Sequence, residues 1–294
     1  DDLLQLLSPL LLEEAAGMEL VGAAALALGQ IFVGTCNAEA AGAITEALMT
    51  RPEEDLKSPH ARFLCLGLGL LYLAQQSRAD VTLATLSVLA EPIARYAQTT
   101  LETCAYAGSG DVLQVQKLLG ACGEHLEKEA GDDAYQAVAV LGIALVAMGE
   151  ELGAEMAIRS FNHLLQYGDP VIKRAVPLAL GLLSASHPRL EVVDALSKLS
   201  HDTDADVAQS AILALGMVGA GTNNSRIAGL LRQLSAFYCT DANQLFMVRV
   251  AQGLLHLGKG LITLDPYHSH GMLMNKVAVA GLLAVLHGCL DFTN

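Results

Sequence analysis

The sequence predicts an all-α protein, an α-solenoid of about eight helix-pair repeats with a period of about 37 residues. Three observations predict it. First, a small residue, four apolar residues and a second small residue recur, with the leading small residue at positions 29, 69, 105, 144, 181, 216, 253 and 281. Second, Asn, Asp, Ser-Pro and Asp-Pro stand where helices should begin, and Gly or Ser where they should end. Third, the periods carry neither β-type alternation nor proline-induced breaks.

The elements follow in order. The chain opens inside a second helix, over roughly 1–12. The motif from Gly29 to Gly34 closes a first helix, and Asn37 precedes a second helix over 38–50. Ser58-Pro59 starts the next first helix, which ends in Gly69 to Ala74, and Asp80 marks a second helix over 79–90. A degenerate motif runs from Ala105 to Gly110, with Asp111 before the helix that follows it. The segment 134–149 is apolar on most sides. Its successor carries a stripe of Leu152, Met156, Phe161, Leu164 and Leu165, with Glu155, Arg159 and His163 elsewhere. Asp169-Pro170 opens the helix ending at Gly181 to Ser186, and Asp204 or Asp206 the one ending at Gly216 to Gly221. Asn223 and Asn224 precede another second helix. Gly253 to Gly258 and a truncated copy at Gly281 finish the series.

Composition narrows the function classes. Hydrophobic residues make up 53%, aromatics 4%, and charged residues 16%, with no Trp and a mean hydropathy of +0.43. The core therefore rests on Ala, Leu, Val and Gly, and extensive disorder is excluded. A net charge of −14 repels phosphate backbones, so no nucleic acid partner is expected, and basic partners are favoured. The uncharged runs 20–38 and 207–225 are long enough to span a membrane. They contain Gln30, Thr35 and Asn37, or Gln209, Asn223 and Asn224, and no Lys/Arg cluster or aromatic belt frames them. Buried helices of a soluble protein, with no membrane partner, fit better. Cys36, Cys65, Cys104, Cys122, Cys239 and Cys289 show no metal or disulfide spacing and read as reduced, mostly buried thiols. The start, Asp1-Asp2-Leu3-Leu4, has neither an initiator Met nor a basic leader and reads as part of a longer chain.

Catalytic and metal signatures dissolve on inspection. The run from Gly253 to Gly260 imitates a phosphate loop, but Gly260 follows Lys259 where Ser or Thr is needed, and no strand leads in. Asp202, Asp204 and Asp206 alternate like a calcium loop without its glycine and closing glutamate, and are expected to cap a helix. His268 and His270 with Asp265 lack further ligands nearby. His256 and His287 lie in apolar helices and are expected in the core or a groove. Gly108-Ser109-Gly110 is not a nucleophile elbow. Arg226, Arg232 and Arg249 read as helix-surface partners. No enzyme activity and no cofactor are expected.

Charge is uneven. Residues 1–60 hold ten acids and only Arg51 and Lys57 as bases, so −8 of the −14 sits in about a fifth of the chain. Glu39 and Glu46 are seven residues apart and share one side of the 38–50 helix. Second helices of consecutive repeats should line one outer face. An acidic rim around exposed Leu or Ala suits a ligand with an apolar patch ringed by Lys and Arg. The plainer reading of the two glutamates is a solvated helix face.

The stretches 13–37, 104–119, 140–168, 176–190, 216–234 and 246–260 resemble the proteasome/cyclosome repeats. These are Gly/Ala-rich helix pairs of the large proteasome regulatory-particle subunits and of a cyclosome subunit. The resemblance covers essentially residues 1–294 and is strongest to the family's ubiquitin-receptor branch. It implies a closed or nearly closed toroid, no catalysis, and membership of a hetero-oligomeric complex with the ATPase ring and other regulatory-particle subunits in cytoplasm and nucleus. It also implies docking of ubiquitin and of the ubiquitin-like domains of shuttle factors or a deubiquitinase. In the family the helix after the Gly34-Thr35-Cys36-Asn37 turn makes that contact. Its matching positions are Glu39, Glu46 and Thr50, and Ala43 and Asp80 complete the candidate surface. Thr50 departs from the usual acid, with Glu53 and Glu54 close by as substitutes. Only 127–133 stands where the family carries a long acidic insertion, either as a short version or with residues left out of the numbering. The family's N-terminal region and its C-terminal part beyond the ring are missing. An architectural family member without ubiquitin contact is the alternative.

Overall fold

The computed structural model describes residues 2–13, 16–124, 133–268 and 271–292. In chain order its helices are α1 (Asp2–Leu12), α2 (Met18–Ile31), α3 (Ala38–Thr50), α4 (Glu53–Leu56), α5 (Ala61–Leu71), α6 (Asp80–Leu86), α7 (Ile93–Ala105) and α8 (Val112–Cys122). Then come α9 (Ala134–Ala147), α10 (Glu151–Tyr167), α11 (Pro170–Leu183), α12 (Leu190–Leu199), α13 (Ala205–Val218), α14 (Ser225–Phe237), α15 (Ala242–Leu255) and α16 (Lys276–Gly288). Two-residue strands β1 (Tyr267–His268) and β2 (Leu273–Met274) pair antiparallel, Tyr267 opposite Met274. The all-α solenoid reading holds. The helices form two compact units, residues 1–149 with 276–294, and residues 150–275.

In the first unit α2, α5, α7 and α9 pack in succession, each against the next. In the second α11, α13 and α15 do the same. Outer helices lean on the inner helix that follows them: α6 on α7 and α8 on α9, then α10 on α11, α12 on α13 and α14 on α15. An inner helix with neighbours on several sides must be apolar all round. In α9 every residue from Tyr135 to Ala147 is buried.

The two small residues of the motif have different jobs. The leading one permits close approach: a Cβ on Gly29 would sit 2.6 Å from the Gly67 carbonyl oxygen across the α2–α5 contact. The trailing one turns the chain through the left-handed region, at Gly34, Ala74, Gly110, Ser186, Gly221 and Gly258. At the first five of these the backbone N–H reaches the C-terminal carbonyls of the next inner helix. Gly34 donates to Leu70 (2.9 Å), Ala74 to Cys104 (3.0 Å), Gly110 to Val146 (3.0 Å), Ser186 to Met217 (3.0 Å) and Gly221 to Leu254 (3.0 Å). Each bond satisfies an orphan helix-end carbonyl and fixes the repeat-to-repeat register.

Pro9 and Pro177 lie inside α1 and α11 without ending them, in keeping with the expected lack of proline breaks. Several other expectations need correction. Asp80 opens α6 as its first helical residue, continuing a 3₁₀ turn, and the helix stops at Leu86 rather than near 90. Leu152 and Met156 are exposed. The buried side of α10 is Ala154, Ala157, Ile158, Phe161 and Leu164, because the neighbouring helix closes on the alanine-bearing side. No helix follows α15 as an outer partner among the described residues; a 3₁₀ turn and the β1–β2 hairpin take that place. Gly253 meets nothing within 4 Å of an added Cβ, so it does not serve packing. His256 is exposed at the end of α15, where its Nδ1 lies 2.7 Å from Asn223 Oδ1. Of the cysteines, Cys65, Cys104 and Cys122 are buried, Cys36 and Cys289 half-buried and Cys239 exposed. The short linker 127–133 that stands in place of the family's insertion falls, but for Asp133, outside the described residues.

The last helix returns to the first unit, where α16 packs on α2 and α5. Gln30 Nε2 donates to the Ala280 carbonyl (3.1 Å), and Arg62 pairs with Asp291 (3.4 Å). His287 is buried with its Nδ1 3.2 Å from the Tyr96 hydroxyl.

Candidate docking face

The turn before α3 is fixed from both sides. Gly34 and Cys36, both at positive φ, donate their N–H groups to Leu70 and Leu71 at the end of α5, and Gln75 Nε2 donates to the Gly34 carbonyl. Asn37 then caps α3, its side chain accepting from the N–H groups of Glu39 (2.9 Å) and Ala40 (3.1 Å). Glu39 stands in the first turn, where a carboxylate complements the helix dipole.

Burial divides α3 cleanly. Ala40, Ala41, Ile44, Ala47 and Leu48 face inward. Glu39, Gly42, Glu46, Met49 and Thr50 are exposed, with Ala43 half-buried among them. These positions advance by three and four and form one strip, so the structure brings Glu39, Ala43, Glu46 and Thr50 together. The two carboxylates are about 10 Å apart along the axis at 1.5 Å per residue. Neither has an ion-pair or hydrogen-bond partner for its side chain among the described residues. Thr50 is no substitute for an acid: its hydroxyl donates to the Glu46 carbonyl (2.9 Å). Glu53 and Glu54 are exposed on α4 just beyond the strip. Asp80 is exposed too, but on α6, the next outer helix.

Three features of this face escape sequence reading. Met49 is 46% exposed within the strip, and Val81 and Val88, at 79% and 80%, bracket the exposed side of α6 and the turn after it. On α1, which packs against α3, Leu3 and Leu6 are exposed. Apolar groups thus stand beside the carboxylates. The third feature is Arg51. Its guanidinium is turned inward, donating to the carbonyls of Leu11 (3.4 Å) in the last turn of α1 and of Glu13 (2.8 Å) and Ala16 (3.2 Å) just beyond it, with Asp55 3.9 Å away. A cation there satisfies helix-end carbonyls and leaves the outer surface to the acids. The signal was its place between two acidic stretches, which a charge count cannot orient.

The other sequence candidates are absorbed by the fold. Lys259 sits at positive φ past the C-terminus of α15, where carbonyls rather than N–H groups point outward, so no phosphate cradle exists there. Asp204 caps α13, and Arg174 bridges Asp204 (3.0 Å) and Asp206 (3.2 Å). Asp265 accepts from the Tyr267 N–H (2.9 Å) and lies 3.8 Å from His187 Nδ1, while His270 lies outside the described residues. Among the described residues no group of three His, Cys, Asp or Glu could hold a metal, and no helix is long and apolar enough to cross a membrane. Arg226 pairs with Asp194, and Arg249 donates to Gln252 (3.0 Å).

Comparison with known proteins fits this architecture. A family model described as "Proteasome/cyclosome repeat" matches residues 210–237, the end of α13 and all of α14. The chain is 54% identical over 285 residues to 26S proteasome non-ATPase regulatory subunit 2 homolog A of Arabidopsis thaliana, covering 97% of this chain and 32% of that protein. It is 54% identical to the 26S proteasome non-ATPase regulatory subunit 2 of Dictyostelium discoideum, with 100% and 32% covered. Against the 26S proteasome regulatory subunit rpn1 of Schizosaccharomyces pombe the identity is 49%, with 99% and 33% covered. The chain spans about a third of the length of these curated relatives.

Proposed function

We propose, for a chain homologous over nearly its whole length to 26S proteasome non-ATPase regulatory subunit 2, the role of a non-catalytic scaffold and receptor in the proteasome regulatory particle. The homology supports the proteasomal scaffold. One structural observation supports the receptor role: Glu39 and Glu46, unpaired among the described residues, stand on an exposed strip with Ala43 and Met49 between and beside them.

The mechanism is display. Tandem helix pairs bury their small-residue sides against each other and hold the outer strip of α3 rigid. A ubiquitin chain, or the ubiquitin-like domain of a shuttle factor or deubiquitinase, presents an apolar patch ringed by Lys and Arg. Carboxylates steer such a ligand and fix its orientation, while apolar contact supplies most of the affinity. Asp80, Val81 and Val88 extend the face toward α6. The reading further includes one repeat array over 1–294, about eight repeats and a closed toroid. In support of closure, the last helix of the chain packs on α2 and α5, near its beginning. The assembly would be hetero-oligomeric, with the ATPase ring and other regulatory-particle subunits, in cytoplasm and nucleus.

The test is a titration of this chain with an isolated ubiquitin-like domain. Glu39→Arg with Glu46→Arg should abolish binding while the thermal midpoint stays within about 2 °C, since exposed charge changes cost under ~0.5 kcal/mol. Unchanged binding would leave a purely architectural scaffold as the reading.

A further inference from the structure

The chain has few aromatics, yet the second unit leaves several exposed at the C-terminal ends of successive outer helices. At the end of α10, His163 and Tyr167 stack with centroids 4.8 Å apart, and Tyr167 is 70% exposed. At the end of α14, Phe237 is 63% exposed and meets His201 edge-on at 5.0 Å and Tyr238 edge-on at 4.8 Å. His201 follows α12, so this group joins two helix ends. It is held there: the Tyr238 hydroxyl donates to the Ser200 carbonyl (2.8 Å).

Three negative sources converge on that edge. Helix C-termini carry partial negative charge on their last carbonyls. Aromatic faces are negative and attract cations. Carboxylates lie alongside: burial first, then the charges of Asp241 and Asp202, raises the pKa of the Tyr238 hydroxyl. Asp202 Oδ1 accepts from the Asp204 N–H (3.0 Å) and Asp241 caps α15, so both are held in place as acceptors. Opposing cations are the exposed Lys198, in the last turn of α12, and the exposed Arg232, further back on α14. Exposed Phe and Tyr with flanking charge are also the residue types that anchor protein interfaces.

We propose that the edge formed by His201, Phe237 and Tyr238 docks an arginine-bearing segment of a protein partner, the guanidinium lying on an aromatic face beside Asp202 and Asp241. This surface is separate from the α3 strip. Arginine fits better than lysine because its planar, weakly hydrated group stacks on rings and still donates to carboxylates.

Isothermal titration of the whole chain at low salt tests it, with a glycine-spaced two-arginine peptide as probe and its citrulline counterpart as a neutral isostere. The arginine peptide should bind, and the citrulline peptide at least about five-fold more weakly. Phe237→Ala should weaken arginine binding by at least about five-fold, and Phe237→Leu, which keeps apolar area without a ring, by a similar factor. Both variants should melt like the parent, since Phe237 is exposed. The double variant Glu39→Arg, Glu46→Arg should bind the peptide within about two-fold of the parent. Absence of binding, equal binding of the citrulline peptide, insensitivity to both Phe237 variants, or an equal loss in the α3 double variant would each overturn the proposal; the last would assign the attraction to the general field of an acidic chain.

Discussion

His287 is a base held where it cannot easily take a proton. Burial, then the Arg62 charge, lowers its pKa from 6.5 to about 4. Burial also keeps the Tyr96 hydroxyl protonated, so a neutral hydroxyl and a neutral imidazole share the hydrogen bond at Nδ1. The sign of the linkage follows. Above pH 6.5 the imidazole is neutral in folded and unfolded chains alike and adds no pH dependence. Between pH 6.5 and about 4 the unfolded chain binds the proton and the folded one does not, so stability falls as pH falls. The loss reaches about 3 kcal/mol near pH 4, at ~1.4 kcal/mol per unit. His287 anchors α16 on the first unit, so the effect should appear there first. Protection factors of α16 amides, exchange rates corrected for the intrinsic pH dependence, should fall on acidification from pH 6.5 to 4.5, and His287→Gln should flatten that dependence. A variant with the same acid response as the parent would show that other groups carry it.

At the scale of the helix, whether an alanine fits where a glycine stands depends on which face meets a neighbour. At Gly67 an added Cβ runs into the Ala25 carbonyl, a backbone group that can yield only if α2 and α5 separate. At Gly253 nothing lies within 4 Å of it. Opposite outcomes follow from one substitution. Gly67→Ala should destabilise by roughly 1–3 kcal/mol through overpacking. Gly253→Ala, at an exposed position inside α15, should stabilise by roughly 0.5–1 kcal/mol through helix propensity. Urea midpoints of the two variants decide it, and a shift of the same sign in both would refute the packing argument. The recurrence of small residues was legible because this approach recurs at Gly29, Gly69, Gly181 and Gly216. Helix starts were legible because Asn37, Asp111, Asp204, Asn224 and Pro170 act locally. The phase of the outer helices was not. Leu152 and Met156 look like core by size, yet the neighbour chose the side with Ala154 and Ala157. A pattern of large residues cannot register a contact built on small ones.

For the molecule as a whole, the same asymmetry governs what was legible at the site. Acids are visible in a sequence, and residues 1–60 carry −8. The apolar members Met49, Val81 and Val88 look like any buried aliphatic until neighbours are placed. Arg51 counts as a surface charge until its guanidinium is seen among backbone carbonyls. Folding therefore sharpens the negative field of this end beyond the formal count, because a nominal neutraliser is turned inward. Such a field acts over about a Debye length, ~10 Å at 0.1 M salt, and shrinks to ~3 Å at 1 M. It should govern how often a basic-rimmed ligand arrives in register, whereas its departure depends on short-range apolar contacts. Stopped-flow association of a ubiquitin-like domain should thus slow by about ten-fold between 0.05 and 0.5 M salt, with the dissociation rate changing by under about two-fold. Replacing Met49 by Ser should do the reverse, raising dissociation and leaving the salt slope of association unchanged. If salt acted on dissociation instead, the carboxylates would be buried contacts of the complex rather than a steering rim, and the display mechanism would fail.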